Sequence, residues 1–440
     1  MAAVTTPIAA AGRSRSAAND EGAIQRLFLQ VLDRQKVRSV YQPIIDLKSG
    51  EIAAFEALAR GPEGGPLESP AMLFGTGRKL GLLNELEWAC RAAALRGALE
   101  SNLGTQISLF INVEPSVVGG VIPPNVEALF RRAERKLRIV LELTERDLTR
   151  RPADLLRLVA WARERYWGVA LDDVGAEPES LALLPFVEPD VVKLDMKLIQ
   201  HEITADEMAV VDAVQRYAKR TGASILAEGI ETDEHLQKGL SLKATLGQGW
   251  HFGKPGVLEG ILNTRSAVRL LPPPSHPASG SAFELLAATN KSERVTASRL
   301  FEETSQLERM AMAEEPAPVV LASFGSAGRF VPRAGEYAAL ADRCTLVGVL
   351  GTPVNNVPES KVRFTALEER DPLAREWVVT VVGPGISEVI AARSLGRDPE
   401  GVGDEVEFIT CSDRTTVMAV AQLLIHRVVP AVGKVGTAKY

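Results

Sequence analysis

Cysteine is scarce in this chain, with Cys90, Cys344 and Cys411 the only three among 440 residues. They lie far apart and form no C-x-x-C pair, which excludes a disulfide framework and a thiolate zinc site and fits a reducing compartment. No apolar run reaches the eighteen or so residues that a membrane-spanning helix needs. Residues 1–20 are rich in Ala, Ser and Thr and carry Arg13 and Arg15, but they lack the apolar centre of a signal peptide. The expectation is a cytoplasmic protein with no membrane partner and a disordered leader over residues 1–21. Excess positive charge is also missing. A net charge of −6 and an isoelectric point near 5.7 exclude a broad basic face for nucleic acid, so an anionic ligand would need local arginines or metal ions.

What the chain does have is the composition of a globular protein, 46% apolar and 24% charged, with length for two cores. Ile24, Leu27, Phe28, Val31 and Leu32 recur at helical spacing, which predicts an amphipathic helix over 22–36 that packs on a neighbouring surface. From residue 37 the pattern becomes short apolar runs. The first two, 40–45 and 52–58, are joined by a turn short enough only for an antiparallel hairpin. Later runs at 107–112, 139–143, 169–172, 191–194, 225–228 and 245–248 alternate with helical stretches such as 153–166 and 206–220. Eight strands in about 220 residues predict an α/β fold, a TIM-type (β/α)8 barrel over 37–258 whose first strand runs against the others. The Pro-rich stretch 259–282 reads as a linker. Beyond it, 283–435 reads as a second, smaller α/β domain: a charged helix from 281 to 314, apolar runs at 319–324, 346–350, 362–367, 378–382 and 406–411, and a final helix over 415–428.

The informative feature is where the polar residues fall. Glu56, Asn112, Glu142, Asp172 with Asp173, Lys193, Glu228 and Gln248 each sit at or near the C-terminal end of a different run. Barrel active sites are built at that face. Carboxylates gathered there raise one another's pKa values unless cations sit among them. An all-oxygen set with no Cys or His suits Mg²⁺ or Mn²⁺ better than zinc. Two such ions can activate water for in-line displacement at phosphorus, which is phosphodiester chemistry.

The segments Tyr41-Gln-Pro-Ile44, Phe55-Glu-Ala-Leu-Ala-Arg60, Ile111-Asn-Val-Glu-Pro-Ser116, Glu142-Leu-Thr-Glu145, Leu171-Asp-Asp-Val-Gly175, Val192-Lys-Leu-Asp195, Ala227-Glu-Gly-Ile-Glu-Thr232 and Gly247-Gln-Gly-Trp250 resemble, in order and spacing, the motifs of EAL-domain cyclic di-GMP phosphodiesterases. The resemblance implies hydrolysis of cyclic di-GMP to linear pGpG with two Mg²⁺ or Mn²⁺ ions per site, in a homodimer formed through the barrel. It implies that Glu56, Asn112, Glu142 and Asp172 ligate one ion, that Asp172 and Asp173 hold the second, and that Glu228 completes the cage. Lys193 would orient the attacking water and help take its proton, and Gln248 would hold the water network. Arg60, Leu58, Gln42 and Trp250 would contact substrate, Arg60 as a fork donor to phosphate. Glu145 and Glu231 would support these groups from behind.

Bland readings stand beside these: a Lys193–Asp195 salt bridge, a surface role for Arg60, exposed helix-start carboxylates at Glu145 and Glu231, and core packing rather than base stacking for Trp250 and Phe252. The loop after Asp173 departs from the family's Asp-Phe-Gly-Thr-Gly-Tyr-Ser-Ser, reading Asp173-Val-Gly-Ala-Glu-Pro-Glu-Ser180. The alternative function is therefore a non-hydrolytic cyclic di-GMP receptor with a degenerate loop at 174–180. A Schiff-base aldolase using Lys193 leaves the acids unexplained. Residues from about 300 to 428 resemble the DICT sensory domain, through Val319-Val-Leu-Ala-Ser-Phe324, Phe330-Val-Pro332 and Asp371-Pro-Leu-Ala-Arg-Glu-Trp-Val-Val379. That resemblance implies regulation of the barrel by an unknown signal or protein.

Overall fold

The computed structural model describes residues 10–113, 122–144, 152–175, 183–258, 268–271, 280–315, 317–325, 330–351, 361–383, 385–397 and 404–428. Helix α1 (Ala10–Asp33) is longer than the expected 22–36 segment and already begins inside the stretch read as leader. It buries Phe28 and Val31 against Leu73 and Leu86 of helices α2 (Pro70–Leu80) and α3 (Leu83–Glu100).

Eight strands close a barrel: β1 (Arg38–Asp46), β2 (Ile52–Arg60), β3 (Ser108–Asn112), β4 (Arg138–Thr144), β5 (Gly168–Val174), β6 (Val191–Leu194), β7 (Ser224–Ala227) and β8 (Leu246–Gln248). Strand β1 is antiparallel to both β2 and β8, and the other pairs are parallel, as the hairpin predicted. The hairpin turns because the Asp46 carboxylate accepts from the amides of Lys48 and Ser49, and Gly50 adopts φ +73°. Around the ring run α4 (Pro124–Lys136), α5 (Pro152–Glu164), the short α6 (Leu184–Val187), α7 (Met196–Gln200), α8 (Ala205–Thr221) and α9 (Asp233–Ser241). Helix α8 carries a complete capping box between Thr204 and Glu207 and stops at Gly222 in the left-handed region.

The barrel interior is layered by the two-residue period of its strands. An apolar floor is made by Ile44, Ala54, Phe110, Val140, Ala170, Val191, Leu226 and Leu246, one residue from every strand. Two residues further toward the mouth on each parallel strand stand Glu56, Asn112, Glu142, Asp172, Lys193, Glu228 and Gln248. On the reversed β1, the same step runs backwards along the chain and places Gln42, which is paired with Glu56 in the β1–β2 register. Within the stretch read as linker, Val268 joins the floor cluster with Leu270 packed against it. The Arg138 guanidinium donates to the Val268 carbonyl, 2.8 Å. This part of 259–282 therefore plugs the barrel rather than spacing two domains.

The second domain is a seven-stranded sheet in the order β12-β11-β10-β13-β14-β15-β9, formed by β9 (Glu293–Thr296), β10 (Val319–Ser323), β11 (Leu346–Gly351), β12 (Arg363–Ala366), β13 (Glu376–Val382), β14 (Ser387–Arg397) and β15 (Asp404–Cys411). The expected single helix over 281–314 is instead α10 (Ala282–Ala287), strand β9 and α11 (Ala297–Ala313). The chain breaks at Asn290, whose side-chain amide donates to the Leu286 carbonyl, and α11 restarts with Thr296 accepting from the Arg299 amide. Strand β14 was not foreseen, since its Ala391-Ala392-Arg393-Ser394 run has weak strand propensity. Pairing with β13 and β15 on both sides holds it in place. Helices α12 (Ala334–Arg343) and α11 cover one face of the sheet, while α10 and the terminal α13 (Arg414–Ile425) cover the other. No described helix is long and apolar enough to cross a membrane.

Candidate active site at the barrel mouth

Lys193 is 1% exposed and lies at the centre of the polar layer. Its ammonium is 2.6 Å from Glu142, 2.8 Å from Glu228, 2.9 Å from Asp172 and 3.9 Å from Glu56. Burial works against its charge, but Asp172, Glu142, Glu228 and Glu56 outweigh burial and hold its pKa well above the ordinary lysine value. The Lys193–Asp195 salt bridge of the bland reading does not form. Asp195 instead caps α7, accepting from the Lys197 amide at 2.7 Å. The acids packed around the Lys193 ammonium also disfavour the aldolase reading, which works through an unprotonated lysine amine.

The acids carry the opposite strain. Burial, with repulsion from Glu56 and Asp172, pushes the wholly buried Glu142 well above the usual carboxylate range despite Lys193. Burial raises Glu228 to about 8, with Lys193 opposing the shift and Asp172 and Glu56 adding to it. Two carboxamides brace Glu56. Gln248 donates to one carboxylate oxygen at 2.6 Å and Asn112 to the other at 3.0 Å. The Gln248 amide also lies 3.3 Å from the Gln42 oxygen, and Gln42 donates to the Gly253 carbonyl, so β1 and β8 steady the same group.

Strand β5 ends in a strained turn that aims a second acid at the mouth. Asp173 adopts φ +58° and its amide donates to its neighbour Asp172 at 3.0 Å. Gly175 follows at φ +117°, where a Cβ would come within 2.5 Å of Leu198. As a result, carboxylate oxygens of Asp172, Asp173 and Glu228 lie within 4.8 Å of one another. The residues fit a hard divalent cation: the donors are oxygens, and the Glu142 Oε2 and Gln248 Oε1 atoms are buried without a hydrogen-bond partner. One ammonium faces Glu56, Glu142, Asp172 and Glu228, with Asp173 beside the last two, and this excess of acidic groups favours further cations.

Around the cage the structure opens two recesses. A cavity of about 570 Å³ runs from Asn112 and Asp173 past Leu58 and Arg60 to Glu87 and Arg91 on α3. A shallower groove joins Arg60, Trp250, Lys254 and Arg38. Arg60 lines both, and burial together with the nearby Arg38 lowers its pKa. Trp250 is 58% exposed, with the Lys254 ammonium over its ring, 4.8 Å from the centroid. Phe252 packs against the core instead, as its bland reading had it. Glu231 is exposed at the turn before α9, where its amide donates to His235. Glu145 and residues 176–180 of the altered loop lie outside the described residues.

Sequence reading missed Glu87 and Arg91. They form a buried i,i+4 ion pair at 3.2 Å, and the Arg91 Nε has no hydrogen-bond partner. The available signal was a charged pair four apart on a helix face otherwise made of Leu, Trp and Ala.

A closed (β/α)8 barrel with a carboxylate cage at its C-terminal mouth is the architecture of a divalent-metal-dependent protein. The EAL domain family model matches residues 22–255, and a second, described as the sensory domain in diguanylate cyclases and two-component system, matches 281–395. The chain belongs to the EAL domain family. Among curated relatives, the cyclic di-GMP phosphodiesterase RocR of Pseudomonas aeruginosa is 31% identical over 231 residues, covering 51% of this chain and 58% of its own length. The probable cyclic di-GMP phosphodiesterase PdeG of Escherichia coli is 28% identical over 247 residues, covering 54% and 48% respectively. This chain thus spans about half the length of the curated relatives it matches. Among solved structures, a manganese and cyclic di-GMP complex of Klebsiella pneumoniae BlrP1 aligns at a TM-score of 0.44 and 27% identity, over 50% of this chain and 56% of that one.

Proposed function

We propose that the barrel is a phosphodiesterase that hydrolyses cyclic di-GMP to linear pGpG. The observation that carries this reading is the cage itself: five carboxylates carried by four strands around one buried lysine, opening onto a cavity that an arginine flanks. Glu56, Asn112, Glu142 and Asp172 would hold one divalent ion, Mg²⁺ or Mn²⁺. Asp172 and Asp173 would hold a second, with Glu228 closing the set. When bound, such ions neutralise phosphoryl charge and make water a nucleophile near neutral pH. Lys193, held as an ammonium by the acids around it, would orient the attacking water, and the water's proton would pass to a cage carboxylate. Gln248 and Gln42 keep Glu56 and the adjacent water in register. Arg60 pairs with a phosphate oxygen, Leu58 lines the wall, and the exposed Trp250 face takes a base. Glu87 and Arg91 at the deep end offer the carboxylate and guanidinium that can read guanine edges. Glu145 and Glu231 remain candidates for supporting the loops from behind.

The protein is further proposed to act in the cytoplasm as a homodimer through the barrel, with the second domain taking a signal or partner. The test is product analysis of the full chain with cyclic di-GMP and Mg²⁺ or Mn²⁺. Linear pGpG is the expected product, and Glu56→Ala should abolish it. Arg60→Ala should raise KM roughly tenfold to a hundredfold, as loss of a charge-assisted hydrogen bond of about 1.5–3 kcal/mol requires. Binding without product under either metal would favour a non-hydrolytic receptor.

A further inference from the structure

The closed end of the barrel holds a buried carboxylate that the chemistry above does not use. Asp190 is 0% exposed and sits just before β6. One of its oxygens accepts from Arg163 of α5 and from the Val169 amide at the start of β5, each at 2.6 Å. Its other oxygen accepts from the amide of Leu271, in the segment that leads to the second domain. Its backbone donates to the Val169 carbonyl at 2.7 Å and accepts from the Ser224 amide of β7 at 2.8 Å. Gly168 beside it is closely packed by the same segment, because a Cβ there would come within 2.5 Å of the tip of the Leu270 side chain, which would have to shift. The connecting segment is therefore seated on the first residues of β5 and β6.

Both strands deliver mouth residues from that anchor after the same short step. Three residues beyond Val169 is Asp172, and three beyond Asp190 is Lys193, and these two form an ion pair at 2.9 Å. The second domain also touches this unit directly, since α13 packs against α6, the short helix between β5 and β6. Leu184, Phe186 and Val187 of α6 share a core cluster with Val417, Ala421 and Leu424 of α13. At the start of α13, Arg414 lies close enough to Arg220 of α8 to feel its charge.

We propose that Asp190 and α6 form a latch through which the second domain and the Asp172–Lys193 pair bias one another. The inference rests on the metal-site reading above. Asp190 is a positioning residue in it, acting through the registry of β5 and β6. If an ion at the mouth and the docked second domain both favour one registry of these strands, then by linkage each strengthens the other by the same factor.

The test uses the wild-type full chain and Mn²⁺ alone, with amide hydrogen exchange read by peptide. As Mn²⁺ fills the mouth, exchange in β5 and β6 should slow, and exchange at 268–271 and in α13 should slow with the same midpoint. Gly168→Ala, which displaces Leu270 without touching the mouth, should speed exchange at 268–271 and weaken Mn²⁺ binding roughly fivefold or more, the lower range of allosteric coupling. Protection of β5 and β6 with no response at 268–271 or α13 would overturn the latch while leaving the metal site standing. So would a Gly168→Ala chain with a freed 268–271 segment and an unchanged Mn²⁺ midpoint. A mouth that shows no response to Mn²⁺ would remove the metal reading and the latch together.

Discussion

Lys193→Ala should produce a chain that turns over cyclic di-GMP about 10²–10⁴-fold more slowly, the range for loss of a positioned acid or base. Without metal it should also be less stable, by about 3–5 kcal/mol, as expected when one partner of a buried ion pair is removed. The stability loss follows from the cage. Glu142, Glu228, Asp172 and Glu56 all face one ammonium that is 1% exposed. Its removal leaves carboxylates whose pKa values burial and mutual repulsion already raise. Addition of Mn²⁺ should restore most of the stability, because a divalent ion supplies the missing positive charge, but should not restore turnover. Chemical denaturation with and without Mn²⁺, beside product analysis, separates the two roles. Equal loss of stability in both conditions would mean that Lys193 is a packing residue rather than a counter-ion within a metal cage.

The second large effect is expected in the other domain. Arg333 is 2% exposed, donates to Glu336 and Ser305, and pairs closely with Glu308. Its guanidinium lies 4.7 Å from the Phe301 ring centroid and 5.8–5.9 Å from those of Phe324, Tyr337 and Trp377. The Tyr337 hydroxyl donates to Glu308 at 2.7 Å. Burial pushes Glu308 upward even with Arg333 and the Tyr337 hydroxyl beside it, so its charge depends first on the guanidinium. Arg333→Ala should cost about 3–5 kcal/mol and unfold this domain first, since it strands a buried carboxylate and empties a ring-lined space. Arg333→Met with Glu308→Leu should recover much of that loss, because removing both charges removes the desolvation penalty. Thermal unfolding of the single and double variants decides between a network that stabilises and one that merely fills volume.

Much of the barrel was legible because one rule, the two-residue period of a strand, governs it. Ala54 then Glu56, Val140 then Glu142, and Val191 then Lys193 all read as an apolar floor residue followed by a polar mouth residue. Gln42 comes two residues before its floor partner Ile44, and the hairpin that reverses β1 explains why it still reaches Glu56. Other parts were hidden because their cause is tertiary. Val268 and Leu270 sit among residues with linker chemistry, and only the shape of the barrel floor makes them a plug. Glu87 and Arg91 look like an ordinary surface pair on a helix until α3 packs against β2 and β3 and the pair borders the cavity. Strand β14 is held by pairing on both edges rather than by its own propensity. Asp173 gave no sign in the sequence of its left-handed backbone, which aligns its carboxylate with Asp172 and Glu228.

Calorimetric titration of the full chain with Mn²⁺ at neutral pH tests the acidic cage most directly. Two ions should bind per barrel with release of protons, because Glu228, with a pKa near 8, begins largely protonated and must ionise to serve as a ligand. Asp173→Ala should reduce the uptake to one ion. A wild-type chain that takes up no Mn²⁺, or one whose uptake is the same after Asp173 and Glu56 are both replaced by alanine, would contradict the account.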